Sequence, residues 1–472
     1  MKDYPLLIGG TEITTDNHLN VLDPYNNEIV GKTYLAGPNE LERAITKAQA
    51  IQAELWSLPT YVRSNALSQI SNEINKRRHE LAKLLAAESG KPLKYAQGEI
   101  DRSVQTFKVA GEEAKRLPSE VMQLDTTASG ANREGIVKYF PVGLVAGIAP
   151  FNFPINLVAH KIAPAIAAGC PIILKPASST PLSALELAKI VDKTELPKGA
   201  VTVLPMDRQS GNQLVTDERF KLLSFTGSPE VGWKMKEDAG KKRVVLELGG
   251  NAGVIITKGT NVDKALPRLL VGAFAYSGQV CIHAQRFYVH SSLMDEFCDK
   301  MKSGVEKLKW GSPLDADTDI SAMIDAKNTE RMKEWLQEAT NAGAKIICGG
   351  YEKEGIYAPT ILTKVKKKMR VCAEEVFGPI ITVEPFDDFK QAIKMLNDSR
   401  FGLQAGVYTD SITEMNLAFE KIECGGVIIN DVPTFRVDQM PYGGIKDSGF
   451  GREGLKYAIL DMMEPRILVK PK

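Results

Sequence analysis

An α/β architecture built on parallel sheets is what this 472-residue sequence predicts, and three observations carry the prediction. From Val137 onward, short apolar runs alternate with amphipathic segments, the β-α-β-α rhythm of a sheet covered on both faces. A second α/β stretch begins near Gly250 and runs to about residue 445. The length, at roughly 150 residues per domain, suggests about three domains, or two with an extra arm. Hydrophobic residues make up 43% and charged residues 25%, so a large core can form without metals or disulfides.

In chain order, Asn39 to about Leu117 reads as helical. Leu41, Ala44, Ile45 and Ala48 recur at helical spacing, as do Leu67, Ile70, Ile74, Leu81 and Leu84. Pro92 suits the first turn of the next helix, and Leu117-Pro118 its end. Thr126-Thr127-Ala128-Ser129-Gly130 reads as a hairpin tip between two extended arms. Buried strands are expected at 143–148, 171–175, 220–225 and 244–248. Helices are expected at about 155–168 and 182–193, with a shorter one after Ser210 and another at 261–275. Residues 464–470 read as a terminal strand, which has little to bury alone and is expected to pair with another subunit.

Charge narrows the possible partners. Lys and Arg number 59 against 58 Asp and Glu, which gives no electrostatic reason to expect nucleic acid or an anionic membrane. The apolar run near the N-terminus is too short for a signal peptide, and no stretch approaches the ~20 apolar residues of a membrane helix. The cysteines at 170, 281, 298, 348, 372 and 424 form no Cys-x-x-Cys pair, so neither a disulfide scaffold nor a zinc site is expected. The expectation is a cytoplasmic protein with reduced thiols.

Four segments carry candidate chemistry. Cys281 follows Ser277-Gly278-Gln279-Val280, a glycine turn that can expose one thiol with its amide. A thiol of pKa about 8.5 needs polar neighbours to act as a nucleophile; without them it is a small buried hydrophobe. Glu247 ends an apolar strand before two glycines, where burial would raise its pKa toward that of a general base. Asn152 is the one polar side chain in Pro150-Phe151-Asn152-Phe153-Pro154, able to donate to an oxyanion or to close a turn. Ser228-Pro229 after a strand suits a helix start that offers free N–H groups to a phosphate, although the Gly-x-Gly-x-x-Gly fingerprint is absent. His283, two residues past Cys281, lacks an orienting partner and reads as structural, and Lys366-Lys367-Lys368 as a solvated loop.

Together these segments resemble the aldehyde dehydrogenase superfamily over nearly the whole chain. The matching strings lie at 150–154, 175–177, 225–228, 246–250, 278–281, 374–379 and 440–449, in the family's order. The resemblance implies a Rossmann-like cofactor domain over 1–118 and 140–248, and an α/β catalytic domain over 249–445. It also implies a β oligomerisation arm and tail over 119–139 and 446–472, building homodimers or homotetramers. Cys281 would be the nucleophile, Glu247 the base, and Asn152 with the Cys281 amide the oxyanion hole. Lys175 would hold the adenosine ribose, Ser228 the pyrophosphate, and Glu375 with Phe377 the nicotinamide end. Further NAD(P) contacts would come from Ile148, Pro150, Ser178, Gly211, Gly227, Gly232, Leu248 and Gly249. An aldehyde would pass through a thiohemiacetal and a thioester on Cys281 before hydrolysis to the acid.

Departures sharpen the expectation. NAD-selective members often carry glutamate three residues after the lysine; here it is Ser178, which does not repel a 2′-phosphate, so NADP is expected to be accepted, even preferred. Phe151, where many members have tryptophan, also occurs in the acyl-CoA-forming branch, but Glu247 favours hydrolysis over that alternative and over an inactive scaffold. Arg102 and Arg436 fall roughly where members handling anionic aldehydes keep arginines, although Glu99, three residues before Arg102, could satisfy it instead. The sequence looks closest to lactaldehyde- and glyceraldehyde-type members, which implies a short hydroxyaldehyde.

Overall fold

A computed structural model describes residues 2–472. Four helices, Pro38–Ser57, Thr60–Lys76, Arg78–Ser89 and Leu93–Glu113, occupy the stretch whose apolar spacing is helical, and they bury Leu41, Ile45, Leu67, Ile70, Leu81 and Phe107. Pro92 stands at the N-cap of the fourth. Before them, Asp3–Tyr4, His18–Leu22 and Ile29–Tyr34 form a small sheet that the sequence reading did not anticipate, because each strand is short and none carries a continuous apolar run.

The first large sheet has six strands. Its order is Val201–Val203, Ile172–Lys175, Val145–Ile148, Leu222–Thr226, Arg243–Glu247 and Gly449–Phe450. The first five are parallel, and the last joins antiparallel. The order in which strands are added therefore reverses between Val145–Ile148 and Leu222–Thr226, and ligands of such sheets bind beyond the strand C-termini at this crevice. The two loops that open there are 149–152 and 227–228. Val145–Ile148 and Leu222–Thr226 are wholly buried, as the continuous apolar runs require.

The second sheet has seven strands, in the order Lys345–Cys348, Thr360–Thr363, Ile380–Phe386, Arg286–His290, Gly253–Ile256, Gln404–Tyr408 and Gly426–Ile429. All its pairings are parallel except Lys345–Cys348 with Thr360–Thr363. The helix expected at 261–275 is Val262–Phe274. It delivers the chain to the turn before Cys281.

The arm is a third sheet. Ser119–Gln123 and Arg133–Pro141 are antiparallel around the 126–130 tip. The terminal strand Met463–Pro471 pairs antiparallel with Arg133–Pro141 of its own chain. Nine residues in unbroken register satisfy one of its edges within the chain, and its other edge is the open side of this three-stranded sheet. Of the 446–472 stretch, only this strand lies in the arm sheet. Gly449–Phe450 extends the first sheet, and Leu455–Asp461 buries Leu455 and Ile459 in the core that contains the 156–168 helix. Among the described residues no helix is long and apolar enough to cross a membrane, and all six cysteines are unpaired.

Candidate active site

The cysteine turn is built from strained backbone. Tyr276, Ser277 and Gly278 are consecutively left-handed, at φ 51°, 53° and 70°. Such conformations cost non-glycine residues about 1–2 kcal/mol each, so they persist only where anchored. The anchors are Tyr276 Oη donating to Ser89 O at 2.8 Å and Ser277 Oγ donating to Ser321 O at 2.8 Å. The Gln279 side chain, buried, accepts from Ile324 N–H at 3.0 Å. Beyond the turn, Asn152 Nδ2 donates to Gln279 O at 3.0 Å, which fixes this amide beside the cysteine.

Cys281 stands on a wall shared by two cavities. Burial pushes its thiol up to about 11, a rise that Tyr442 and Arg436 oppose and that Glu375 and Glu247 reinforce. Tyr442 Oη lies 3.1 Å from the sulfur.

The larger cavity, about 610 Å³, runs from Cys281 to the switch point of the first sheet. Pro150, Asn152, Gly227, Ser228, Glu247, Leu248, Gly249, Glu375 and Phe377 line it together, as the resemblance implies. Ser228 is the N-cap of Pro229–Asp238 and Pro229 its first residue, but the Ser228 hydroxyl makes no cap hydrogen bond. Its hydroxyl and the helix's open N–H groups suit a phosphate. Phe377 is held at φ 47° with its ring edge-on to Phe151 at 5.8 Å. Glu375 accepts from Gly250 N–H at 2.9 Å over Gly249, where any Cβ would collide with its carboxyl group. Burial raises the Glu375 carboxyl to about 8.

The other expected cofactor residues sit outside this lining. Lys175 crosses the face of Gly211, whose missing side chain makes room for it, and burial lowers its pKa against the pull of Asp207. Ser178 is exposed three residues on, Ile148 ends its strand, and Gly232 lets Leu248 and Phe225 pack against the helix.

Glu247 is 3% exposed, and neither carboxylate oxygen has a hydrogen-bond partner. Burial, then the neighbouring Glu453, raises its pKa well above 4.5, against Arg436, Lys161 and Arg452. A carboxyl group in that state can take a proton near neutral pH.

The smaller cavity, about 270 Å³, opens on the far side of Cys281 and is lined by both Arg102 and Arg436, with Lys91, Phe153, Thr434 and Tyr442. Arg102 donates to Asp438 at 2.7 Å. The expected pairing with Glu99 does not form. Glu99 instead bonds the buried Lys91 and accepts the N–H groups of Ile155 and Asn156, so its carboxylate is already committed to a helix start. Arg436 donates to Glu453 at 2.8 Å. His283 is structural: its Nε2 meets Ala273 O at 2.8 Å, and burial lowers its pKa to about 4.

Sequence reasoning missed the polar cluster behind these groups. His160 Nε2 lies 2.8 Å from Asp438, and Lys161 donates to Thr226 at 2.8 Å and stands 3.6 Å from Glu453. The available signal was a His-Lys pair inside an otherwise apolar, fully buried helix, Asn156–Ala168. Tyr442, Arg331 and Trp335 were also missed; only proximity in the fold marks them.

A crevice at the switch point of a parallel sheet meets a second, arginine-lined cavity at Cys281, an arrangement that suits an α/β enzyme. The aldehyde dehydrogenase family profile matches residues 12–468, and the chain belongs to that family. It is 40% identical to 3-sulfolactaldehyde dehydrogenase of Priestia aryabhattai, covering 99% of this chain and 98% of that one. The structure resembles aldehyde dehydrogenase 21 from Physcomitrella patens in complex with the reaction product succinate, with a TM-score of 0.98 at 44% identity over 100% of this chain and 98% of that one. It also resembles glyceraldehyde-3-phosphate dehydrogenase from Methanocaldococcus jannaschii complexed with NADP, with a TM-score of 0.92 at 36% identity over 96% of this chain and 99% of that one.

Proposed function

We propose that this enzyme oxidises a short anionic aldehyde, of the hydroxyaldehyde kind, to its carboxylic acid with NAD(P). The observation that carries the reading is the position of Cys281, reached from the nucleotide crevice on one side and from the Arg102–Arg436 cavity on the other. Two guanidinium groups suit a carboxylate, sulfonate or phosphate at the distal end of the substrate. The relatives named for 3-sulfolactaldehyde and glyceraldehyde-3-phosphate, and the one holding succinate, support a small anionic compound.

Ser228 and the 229–238 helix start would hold the pyrophosphate, Lys175 the adenosine ribose, and Glu375 with Phe377 the nicotinamide end. The nicotinamide, when bound, supplies the hydride acceptor. The Cys281 thiolate attacks the carbonyl carbon. Asn152 Nδ2 and the Cys281 N–H steady the oxygen as charge develops, and loss of one such donor typically costs about 2.7–4 kcal/mol of barrier. After oxidation a thioester remains on Cys281. Glu247 then draws a proton from water as the water attacks the thioester, which supports hydrolysis rather than transfer to a second thiol. Exposed Ser178 supports acceptance of NADP.

Exposed Val121, Ile467, Leu468 and Val469 on the arm support a homodimer or homotetramer. Six unpaired thiols support a cytoplasmic setting. The test is a panel of matched anionic and neutral short aldehydes with each cofactor, followed by absorbance of the reduced nicotinamide. Anionic members should show the higher kcat/KM, and Cys281→Ala should abolish turnover while retaining cofactor binding. Equal kcat/KM across the panel would remove the anionic assignment.

A further inference from the structure

We propose that Tyr442 is the hydroxyl that stabilises the thiolate form of Cys281 when the sulfur ionises, supported electrostatically by Arg436 beneath its ring. The inference rests on the reading of Cys281 as nucleophile and deepens it. Tyr442 is 3% exposed, and the one hydrogen-bond contact of its hydroxyl among the described residues is Cys281 Sγ at 3.1 Å. The Arg436 guanidinium lies 3.6 Å from the centroid of the Tyr442 ring and is held there by Glu453 at 2.8 Å. Glu453, Arg436, Tyr442 and Cys281 thus form one contiguous chain from a buried carboxylate to the sulfur.

The chemistry of each atom decides the direction of that contact. A neutral thiol and a phenol can exchange the roles of donor and acceptor, but a thiolate can only accept. Ionisation of Cys281 therefore fixes Tyr442 as donor, in a charge-assisted bond stronger than its neutral counterpart. Burial, reinforced by Cys281, holds the phenol well above its ordinary value, so it keeps its own proton. The thiol proton leaves to water. A guanidinium against the ring face draws electron density from the phenol and makes its O–H a better donor.

The charged and titratable groups that face the sulfur are Tyr442, Arg436, Glu375 and Glu247. The two glutamates oppose ionisation, as does burial, and Tyr442 and Arg436 favour it. Of the two that favour it, Tyr442 is the one in hydrogen-bond contact. Phenylalanine at 442 would keep the ring, its stacking on Arg436 and the cavity wall, and would delete only the donor.

The experiment compares wild type with Tyr442→Phe in the intact enzyme. Thiolate absorbance near ~240 nm and the pH dependence of iodoacetamide alkylation report the Cys281 titration. Peptide mass spectrometry identifies the alkylated residue, and Cys281→Ala supplies the background from the other five cysteines. Tyr442→Phe should raise the apparent Cys281 pKa by about one to two units, slowing alkylation about 10- to 100-fold at a fixed pH below it. First-turnover oxidation should slow by the same factor and recover as pH is raised, a rescue that a merely structural role would not produce. An unchanged Cys281 titration in Tyr442→Phe overturns the proposal.

A second variant, with 3-fluorotyrosine at 442, keeps the hydroxyl and decides the matter even if Tyr442→Phe folds poorly. Its more acidic phenol should lower the Cys281 pKa, and a fluorinated protein whose thiol titrates as wild type also overturns the proposal. Turnover persisting in Cys281→Ala would instead remove the nucleophile reading, whereas the thiol titration tests the hydrogen bond independently.

Discussion

Replacing Gly278 by alanine would put a methyl group where two functional segments cross. Gly278 sits at φ 70°, the third consecutive left-handed residue of the cysteine turn. An alanine there carries the left-handed penalty of about 1–2 kcal/mol. Its Cβ would also collide with the carbonyl oxygen and carbon of Gly378 and lie 3.1 Å from Pro379 N. All three are backbone atoms, so no rotamer change can relieve the contact, and overpacking of this kind adds about 1–3 kcal/mol. The sum, about 2–5 kcal/mol, is a large fraction of the 5–15 kcal/mol that typically separates folded from unfolded chains. Because Gly378 adjoins Phe377, the strain reaches the larger cavity as well as the thiol. Urea unfolding followed by tryptophan fluorescence measures the loss, and the alkylation rate of Cys281 reports the turn. Gly259→Ala is the control, since a Cβ at that exposed turn meets nothing within 4 Å. If the two variants unfold within about 0.5 kcal/mol of each other, the strained crossing does not exist as described.

Other outcomes follow from the same geometry. Glu247→Gln should show a pre-steady-state burst of reduced cofactor before a slow steady state; a first turnover slowed as much as later ones would exclude Glu247 as the deacylation base. In wild type the acidic limb of kcat should lie well above pH 4.5, because burial and Glu453 raise Glu247 and it works only when ionised; a limb at 4.5 in the pH profile would contradict this. The same shift has a stability consequence. The folded state binds more protons than the unfolded state above pH 4.5, so the Glu247 contribution becomes less favourable as pH rises toward its raised folded value. Thermal unfolding should accordingly show Glu247→Gln gaining on wild type as pH rises above 4.5, and a gap that closes with pH would reverse the assignment. Ser178→Glu should raise KM for NADP far more than for NAD, a tenfold change in specificity ratio corresponding to ~1.4 kcal/mol; an unmoved ratio would place the preference in another residue.

The amino-acid sequence by itself determined the local elements and the chemical types at the site. Runs such as Val145–Ile148 and Leu222–Thr226 had to be doubly buried strands, because no polar face interrupts them. Ser228-Pro229 had to open a helix, since the fixed φ of proline and its missing N–H fit the first helical position. Cys281, Glu247 and Asn152 were legible because each is a polar or reactive residue in an apolar or glycine-rich setting. Tertiary structure decided everything that depends on which distant segments meet. Strand order set the 149–152 and 227–228 loops side by side. It drew Glu99 to Lys91 and two backbone N–H groups, leaving Arg102 to Asp438, 336 positions away. It gave the terminal strand a partner within its own chain, and it brought Tyr442 to a sulfur 161 positions earlier. Periodicity encodes which face of an element must be buried, but a charge or hydroxyl takes the best partner that packing delivers, and that choice is made across the fold rather than along the chain.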